Sequence, residues 1–485
     1  MKKQTPPSEP LAPRPDRRAF MMNAALGLGS IALGGLIGAP ARAAGRTLDL
    51  GTLGTGHIAA RAKRVIFLFQ FGAVSQVDTF DYKPMLTKMH GQDIPASVRS
   101  KGGRISAMSK NQSAFPLVQP LAQFRQYGQS GAWASDLVPH MGAIADDLCF
   151  VKTVTTEHVN HDPAGKYIHT GFQLSGRPSE GAWVSYALGS DNDNLPGFIV
   201  MISQGQAAQG VDGAMYGSGF LPSHHQGVLF RSAGEPVLYV NNPEGMDRPH
   251  RRAELDVIER LAMIQQQRSG DPEILSKISQ YEMAYRMQES VPEVAAIETE
   301  PKHVLDLYGP DVTQPGTFAR NCLIARRLAE RDVKFISVIH SGWDHHIGIA
   351  KSHPIDCRSV DQPSAALVRD LKQRGLLEDT LVVFGSEFGR TSFAQGALTG
   401  NFGRDHHGGC FTCWLAGGGV KAGYTHGETD EFSYNIVKDP VSVHDLQATM
   451  MNLLGIDHER LTYHYQGRDF RLTDVSGKVL QQIIA

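Results

Sequence analysis

Continuous apolar runs recur along the chain, with amphipathic stretches between them. Six runs predict strands buried on both faces of a parallel sheet, because such strands need not alternate apolar with polar residues. These runs cover residues 63–73, 148–154, 197–203, 333–340, 380–387 and 411–419. Stretches with helical spacing of apolar residues cover 136–147, 164–176, 320–331, 364–377 and 444–456. The alternation predicts an α/β fold, with a doubly wound, mostly parallel sheet flanked by helices.

One segment departs from this alternation. Residues 205–300 begin with glycine-rich polar loops and continue into charged helical stretches. We interpret this segment as an inserted loop-and-helix region or cap on the sheet.

The amino terminus predicts a twin-arginine signal peptide at residues 1–43. Arg17 and Arg18 precede an uncharged run, and Ala41-Arg42-Ala43 forms a small-x-small cleavage pattern. The run is rich in glycine and alanine, which suits an export signal better than a membrane helix. The mature domain is then 44–485, periplasmic or secreted, with no stable membrane span after cleavage. An uncleaved anchor is the alternative.

The composition argues against a nucleic-acid-binding protein and against a protein stabilised by disulfide bonds. The formal net charge is -2 over 485 residues, so no nucleic-acid partner is expected, because phosphate backbones attract basic surfaces. Five cysteines are an odd and sparse set for an exported protein, and they predict no disulfide framework.

Polar clusters follow four of the predicted strands. They lie at residues 72–81, 157–163, 342–346 and 386–390. A fifth cluster, "GRDHHGG" at 403–409, precedes its strand in what we expect to be a loop over the same edge. Parallel sheets place their chemistry beyond the carboxyl ends of the strands, so the clusters predict one shared site.

Histidine and aspartate on converging loops suit a divalent transition metal, here Zn or Mn, as one or two ions. Adjacent histidines rarely face one ion together, so one of each pair is expected to ligate and the other to hydrogen-bond behind it. Arg390 is the candidate for binding a phosphate or sulfate oxyanion. The alternative is that the Asp-His-His tripeptides are structural hydrogen-bond networks. The candidate ligands are Asp344, His345, His346, Asp405, His406 and His407, with Glu387, His161 and Asp162 as further candidates.

Several motifs resemble one family of exported bacterial proteins. They are "GAVSQVDTFDYKP", "NHDPA", "GSGFLPS", "GWDHH", "GSEFGRT", "GRDHHGG" and "HDLQATMMNLLGIDHERLTY". Together they resemble the family called domain of unknown function 1501, which is placed near the sulfatases in the alkaline-phosphatase superfamily. The resemblance implies an alkaline-phosphatase/sulfatase-like fold for nearly the whole mature chain.

The same resemblance marks where the chain departs from sulfatases. His161 falls where sulfatases carry the cysteine that becomes formylglycine, and Phe388 stands where the phosphatases have a histidine ligand. Glu387 matches their metal-binding carboxylate. No aspartate directly ends the first strand, so Ser75 or Asp78 in the following turn is the candidate substitute.

Three mechanisms follow for an ester hydrolase. His161 could be a nucleophile, or a ligand of a metal ion that activates water, or Ser75 could be the nucleophile. The expected function is an exported, metal-dependent hydrolase of phosphate or sulfate esters, on a small-molecule or polysaccharide substrate. The alternative is a catalytically degenerate exported binding protein on the same fold. An oxidoreductase ranks last, because no flavin, haem or nicotinamide motif is present.

Overall fold

The computed structural model describes residues 51–54, 56–101, 105–208, 210–238 and 240–485. The predicted signal peptide lies outside them. The strands are β1 (Arg64–Phe71), β2 (Phe124–Tyr127), β3 (Ala132–Ser135), β4 (Leu148–Thr155), β5 (Phe198–Ala207), β6 (Val228–Leu229), β7 (Phe335–Trp343), β8 (Thr380–Gly385), β9 (Gly389–Gln395), β10 (Gly403–His407), β11 (Phe411–Ala416), β12 (Tyr424–His426), β13 (Glu428–Thr429), β14 (Ile436–Lys438), β15 (Val441–Ser442), β16 (Tyr463–Tyr465) and β17 (Arg468–Phe470). The α-helices are α1 (Gln76–Thr79), α2 (Pro84–Lys88), α3 (Ala96–Arg99), α4 (Pro139–Gly142), α5 (His161–Thr170), α6 (Glu180–Leu188), α7 (Arg248–Ser269), α8 (Glu273–Ala295), α9 (Lys302–Tyr308), α10 (Phe318–Ala329), α11 (Ile349–Gln373) and α12 (Val443–Leu453).

A nine-stranded sheet organises the described residues. Its strand order is β12-β4-β11-β8-β1-β7-β5-β6, and β15 also pairs with β4. The pairs β1–β7, β1–β8 and β5–β7 are parallel, whereas β11 is antiparallel to both β4 and β8. All six predicted strands belong to this sheet, so the predicted mostly parallel α/β fold is confirmed.

Helices cover both faces of the sheet, which accounts for the continuous apolar run at residues 65–69 of β1. Ile66 and Leu68 pack in one buried cluster with residues of α10 and α11. Phe67 and Phe69 point to the other face and pack with residues of α5, α6 and α12. Successive strand residues face opposite sides, and here both sides are core.

The segment "GRDHHGG" differs from its prediction as a loop. Its residues Gly403–His407 form β10, which pairs antiparallel with β9 in a separate two-stranded sheet. His406 lies opposite Arg390 in this ladder, and a register irregularity separates Arg404 from His406. The pairing places the second Asp-His-His tripeptide on a strand, where neighbouring side chains diverge.

The 205–300 region contains one long helical hairpin. Helices α7 and α8 pack on each other, and Arg252 of α7 forms an ion pair with Glu282 of α8. Within the same region, β6 adds to the main sheet beside β5. Whether this region is an insertion or cap remains a prediction.

Across the described part of the chain, the helices lack the combination of length and apolar character needed to span a bilayer.

Candidate metal centre

Four side chains from three separate segments meet at the carboxyl edge of the sheet. His161 is the first residue of α5, which follows β4; Asp344 and His346 follow β7, and His406 lies in β10. One potential ligand atom from each residue lies within 4.8 Å of every other. Within the described ranges this is the group that meets the geometric requirement for holding a metal ion. We call these four residues the His/Asp cluster.

Asp344 is the hub of the cluster. Its Oδ1 lies 2.8 Å from Nε2 of His346, 3.0 Å from Nε2 of His161 and 3.2 Å from Nε2 of His406. Four ligands at ~2.0–2.2 Å from a tetrahedral zinc ion lie ~3.3–3.5 Å from one another. The three distances from Asp344 to the histidines are thus slightly shorter than those of an ion-filled site, while the four ligand atoms together lie within 4.8 Å of one another. The Nε2 atom of His161 is buried and its nearest polar contact is Asp344, so it faces the cluster centre as a ligand would.

Each histidine of the cluster also has a polar contact at its other ring nitrogen, Nδ1. Nδ1 of His406 contacts the backbone oxygen of Val159 at 2.6 Å, and Nδ1 of His346 contacts the side-chain oxygen of Gln395. These two oxygens only accept hydrogen bonds, so each Nδ1 carries a proton, and Nε2 is the ring nitrogen that faces Asp344 and becomes a ligand when it is deprotonated. Metal-ligating histidines are oriented in this way.

Glu387 orients the ring of His161 through a contact with its Nδ1 atom. Its Oε1 lies 2.6 Å from Nδ1 of His161 and accepts a 2.8 Å hydrogen bond from the backbone N–H of Gly72. The Glu387 side chain is fully buried. The predicted ligand Glu387 therefore stands behind the cluster and orients one of its histidines.

Arg390 is fully buried beside the cluster. Its guanidinium donates to Oδ1 of Asp344 at 2.8 Å and to the backbone oxygens of Gly72, Ala73, Trp343 and Arg404. This arrangement fixes Asp344 and the turn after β1, where Ala73 has a left-handed φ of 75°. Its predicted role as the binder of a substrate oxyanion is not favoured by this geometry, because its donors face protein acceptors.

Burial and neighbouring groups shift the pKa values of three members of the cluster. Burial alone would raise the pKa of Asp344, but contacts with His161, His346, His406 and Arg390 outweigh it and lower that pKa well below its ordinary value. Burial lowers the pKa of His406 to about 4, so this ring is neutral at pH 7. Burial also opposes protonation of His161, but hydrogen bonds to Asp344 and Glu387 raise its pKa above the ordinary value. An ion would compete with a proton for His161.

Phe388 occupies the space beside the cluster. Its ring centroid lies 4.6 Å from that of His406 and 5.0 Å from that of His161. An apolar ring there contributes no ligand for a second ion. The donor set of the cluster, three imidazole nitrogens and one carboxylate, fits one divalent transition metal such as zinc.

Ser75 and Asp78 lie in a different network. Asp78 forms a fully buried bidentate ion pair with Arg404, at 2.8 and 3.0 Å. Ser75 Oγ donates to Oδ2 of Asp78 at 2.5 Å. Both residues, predicted as a nucleophile and a ligand, are engaged in holding the turn after β1 against β10.

The remaining predicted ligands also have partners outside the cluster. Asp405 accepts from Ser106 Oγ at 2.7 Å, and Nε2 of His407 donates to the backbone oxygen of Tyr434 at 2.9 Å. Asp162 is largely exposed and pairs with Lys166 at 2.9 Å. His345 is buried and pairs with an aspartate of α11. We leave these residues out of the proposed ligand set.

A comparison with protein-family models gives a match over most of the chain. A family model described as "Protein of unknown function (DUF1501)" matches residues 62–484. No match was found among curated proteins.

Solved structures that are similar to this chain come from the sulfatases and phosphatases. A protein in the alkaline phosphatase superfamily from Vibrio parahaemolyticus shares 10% identity, with 83% of this chain and 69% of that chain covered and a TM-score of 0.35. The PsFucS1 sulfatase from Pseudoalteromonas sp. shares 12%, covering 83% and 69%, with a TM-score of 0.33. The phosphonate monoester hydrolase SpPMH from Silicibacter pomeroyi shares 11%, covering 71% and 71%, with a TM-score of 0.32.

Proposed function

Because the chain belongs to the DUF1501 family, whose description assigns no activity, we propose its function from its own residues: an exported hydrolase of phosphate or sulfate esters that depends on one divalent metal ion. The export route is the predicted twin-arginine pathway, and the substrate is a small-molecule or polysaccharide ester. The observation that carries the proposal is the His/Asp cluster. Three Nε2 atoms converge on Asp344, and each of the three rings is held at Nδ1.

The proposed ligands are Nε2 of His161, His346 and His406 and the carboxylate of Asp344. A divalent ion held there would supply Lewis acidity, which polarises an ester oxygen and strengthens water as a nucleophile. The two positive charges of such an ion exceed the single negative charge of Asp344, while the charges of Arg390 and Glu387 offset one another. The site would therefore attract an anionic substrate.

The first turn of α5 adds donors for an anion. His161 is the first residue of this helix, and the N-cap Asn160 makes no side-chain capping hydrogen bond. The first backbone N–H groups of a helix have no partner within the helix, and they favour negative charge. We propose that the N–H groups of His161 and Asp162 orient one oxygen of the phosphate or sulfate group.

Direct attack by water is the mechanism that these contacts favour. A nucleophilic His161 would need a free ring nitrogen, but Nδ1 contacts Glu387 and Nε2 faces Asp344. A nucleophilic Ser75 would need to leave its hydrogen bond with Asp78. Phe388 places an apolar ring against His161 and His406, so it adds no nucleophile to the cluster.

The test measures metal content and ester hydrolysis in the same preparations. The full chain is purified without chelators and compared with Asp344→Asn and His406→Ala, using p-nitrophenyl phosphate and p-nitrophenyl sulfate. His464→Ala is the matched control, because this side chain is 69% exposed. We expect one equivalent of zinc or manganese in the wild type and in the control, and loss of both metal and hydrolysis in the two cluster variants. A folded wild type without metal would contradict the proposal.

A binding protein without turnover is the second candidate function. It is favoured by the engagement of Ser75, the candidate hydroxyl nucleophile, which donates to Asp78 in the network that includes Arg404. A wild type that retains metal and binds phosphate or sulfate, but hydrolyses neither ester, would select this candidate.

A further inference from the structure

Behind the His/Asp cluster, three buried side chains form a hydrogen-bonded chain. His345, His353 and Asp356 are each at most 2% exposed. Nε2 of His345 lies 2.8 Å from Oδ2 of Asp356, and its Nδ1 lies 3.3 Å from Nδ1 of His353. His353 and Asp356 belong to α11, whereas His345 follows β7. The sequence did not indicate this network.

The direction of the hydrogen bonds follows from the carboxylate. Asp356 can only accept, so Nε2 of His345 carries the proton and Nδ1 of His345 is an acceptor. Nδ1 of His353 then donates to it. The orientation of the His345 ring is thereby fixed from both sides.

The other oxygen of Asp356 reaches a different segment. Its Oδ1 accepts a 2.9 Å hydrogen bond from the backbone N–H of Gln206, at the end of β5 where the 205–300 region begins. The neighbouring Gly205 leaves no room for a side chain, because a Cβ there would lie 2.3 Å from Oδ1 of Asp356. Asp356 therefore joins the end of β5 to the segment that follows β7.

His345 stands in the chain between two members of the cluster. Asp344 and His346 flank it directly, so the peptide units on either side of His345 set where both side chains begin. Residues that hold ligands in place are worth roughly 10–100-fold in metal affinity.

We propose that Asp356 is a positioning residue for the metal centre: through His345 it fixes the Asp344 and His346 ligands, and through Gln206 it couples them to the start of the 205–300 region. The inference rests on the metal site of the proposed function. It adds the residue that links that site to a distant segment.

The sharpest test changes Gly205, which is not a ligand and does not touch the cluster. Gly205→Ala places a methyl group against Asp356, and neither it nor Gly210 has a left-handed φ. Gly210→Ala is the matched control, since nothing lies within 4 Å of a Cβ there. Zinc affinity of the full chain is measured by competition with a fluorescent chelator. We expect a roughly 10–100-fold weaker affinity for Gly205→Ala and no change for Gly210→Ala.

Substitutions in the network give an independent measurement. Asp356→Asn should weaken zinc binding and alter the visible absorption spectrum of the cobalt-loaded protein, which reports ligand geometry. His345→Leu should do the same. His345→Gln retains a donor near Asp356 and should recover part of the affinity. Circular dichroism confirms that each variant is folded, so a loss of stability alone is separated from a change at the metal.

The outcomes separate the two proposals. If wild type binds zinc and the Gly205 and Asp356 variants match it in affinity and cobalt spectrum, the positioning role is wrong and the metal site stands. If folded wild type binds no zinc and no cobalt, the proposed function fails and the positioning role fails with it.

Discussion

Each Asp-His-His tripeptide sends only one histidine into the His/Asp cluster. In the first tripeptide His346 faces Asp344 while His345 points to Asp356; in the second, His406 faces the cluster and His407 donates to Tyr434. The sequence predicted this division of labour. It could not predict which histidine faces the cluster, because that depends on backbone direction at each position. Asp344 and His406 ranked high among the predicted ligands, whereas Asp405 lies instead against Ser106.

Glu387 provides a test of orientation at the residue scale. Glu387→Gln removes the negative charge that holds Nδ1 of His161, and we expect roughly tenfold weaker zinc binding. Titration with a competing chelator measures it. Glu428→Gln is the control, since Glu428 is 67% exposed and belongs to the β13–β14 hairpin, which contributes no residue to the cluster. Equal affinities for both variants and wild type would contradict the orienting role.

His340 predicts a pH dependence of stability. Burial lowers its pKa from 6.5 to about 4. The unfolded state then binds more protons, so this contribution to stability is present above pH 6.5 and is lost as the pH falls towards 4. At pH 5 the loss is about 2 kcal/mol.

Urea unfolding at pH 7 and pH 5 measures this effect. The His340→Gln variant does not titrate, so its stability should fall by about 2 kcal/mol less than that of the wild type over this interval. His464→Gln, at an exposed histidine, should fall as much as the wild type. An identical pH response in His340→Gln and wild type would show that His340 does not contribute.

At the scale of elements, the sequence did not predict the first half of α11, which contains prolines, or the strand β10. Helix α11 begins at Ile349 and continues through Pro354 and Pro363, whereas its predicted range began at residue 364. Proline removes a backbone donor and usually interrupts a helix, so the pattern alone did not extend it. The part of α11 that was not predicted carries His353 and Asp356, so their contacts were not predicted either. The strand β10 was missed because its five residues begin with a glycine, Gly403, and are followed by two more, Gly408 and Gly409.

Close packing of β10 on the segment after β7 predicts an effect of Gly403→Ala. A Cβ at this position would lie 2.0 Å from the backbone carbon and oxygen of His346. Backbone atoms cannot move away cheaply, so we expect a loss of roughly 1–3 kcal/mol in unfolding free energy and weaker zinc binding. Gly400→Ala, with nothing within 4 Å of a Cβ, is the control. Denaturant unfolding and zinc titration of both variants and the wild type test these two effects.

At the scale of the whole molecule, the sequence was most informative about the sheet. The strands β1, β7 and β8 are parallel neighbours, so their following segments leave from one edge, as the six apolar runs predicted. Convergence of the polar clusters follows from that topology. The choice of side chains that meet in the His/Asp cluster does not follow from the topology. It depends on side-chain directions, which hydrophobic periodicity does not encode.

Metal binding should stabilise the entire fold. A ligand that binds only the folded state adds about 2.7 kcal/mol at a free concentration about 100 times Kd. We therefore expect a chelator to lower Tm and added zinc to restore it, as followed by calorimetry. Asp344→Asn should show neither shift. A Tm that zinc leaves unchanged in the wild type would contradict a metal centre in the native state.

The contacts that hold the His/Asp cluster join parts of the chain that are translated far apart. The pair His161 and Glu387 is separated by 226 residues, and His406 reaches Val159 across 247. A nascent polypeptide holding only its amino-terminal half would carry His161 alone and could not capture an ion in this geometry. Ion uptake would thus come late in biosynthesis, after His406 has emerged from the ribosome. Bound metal would then distinguish finished molecules from truncated ones.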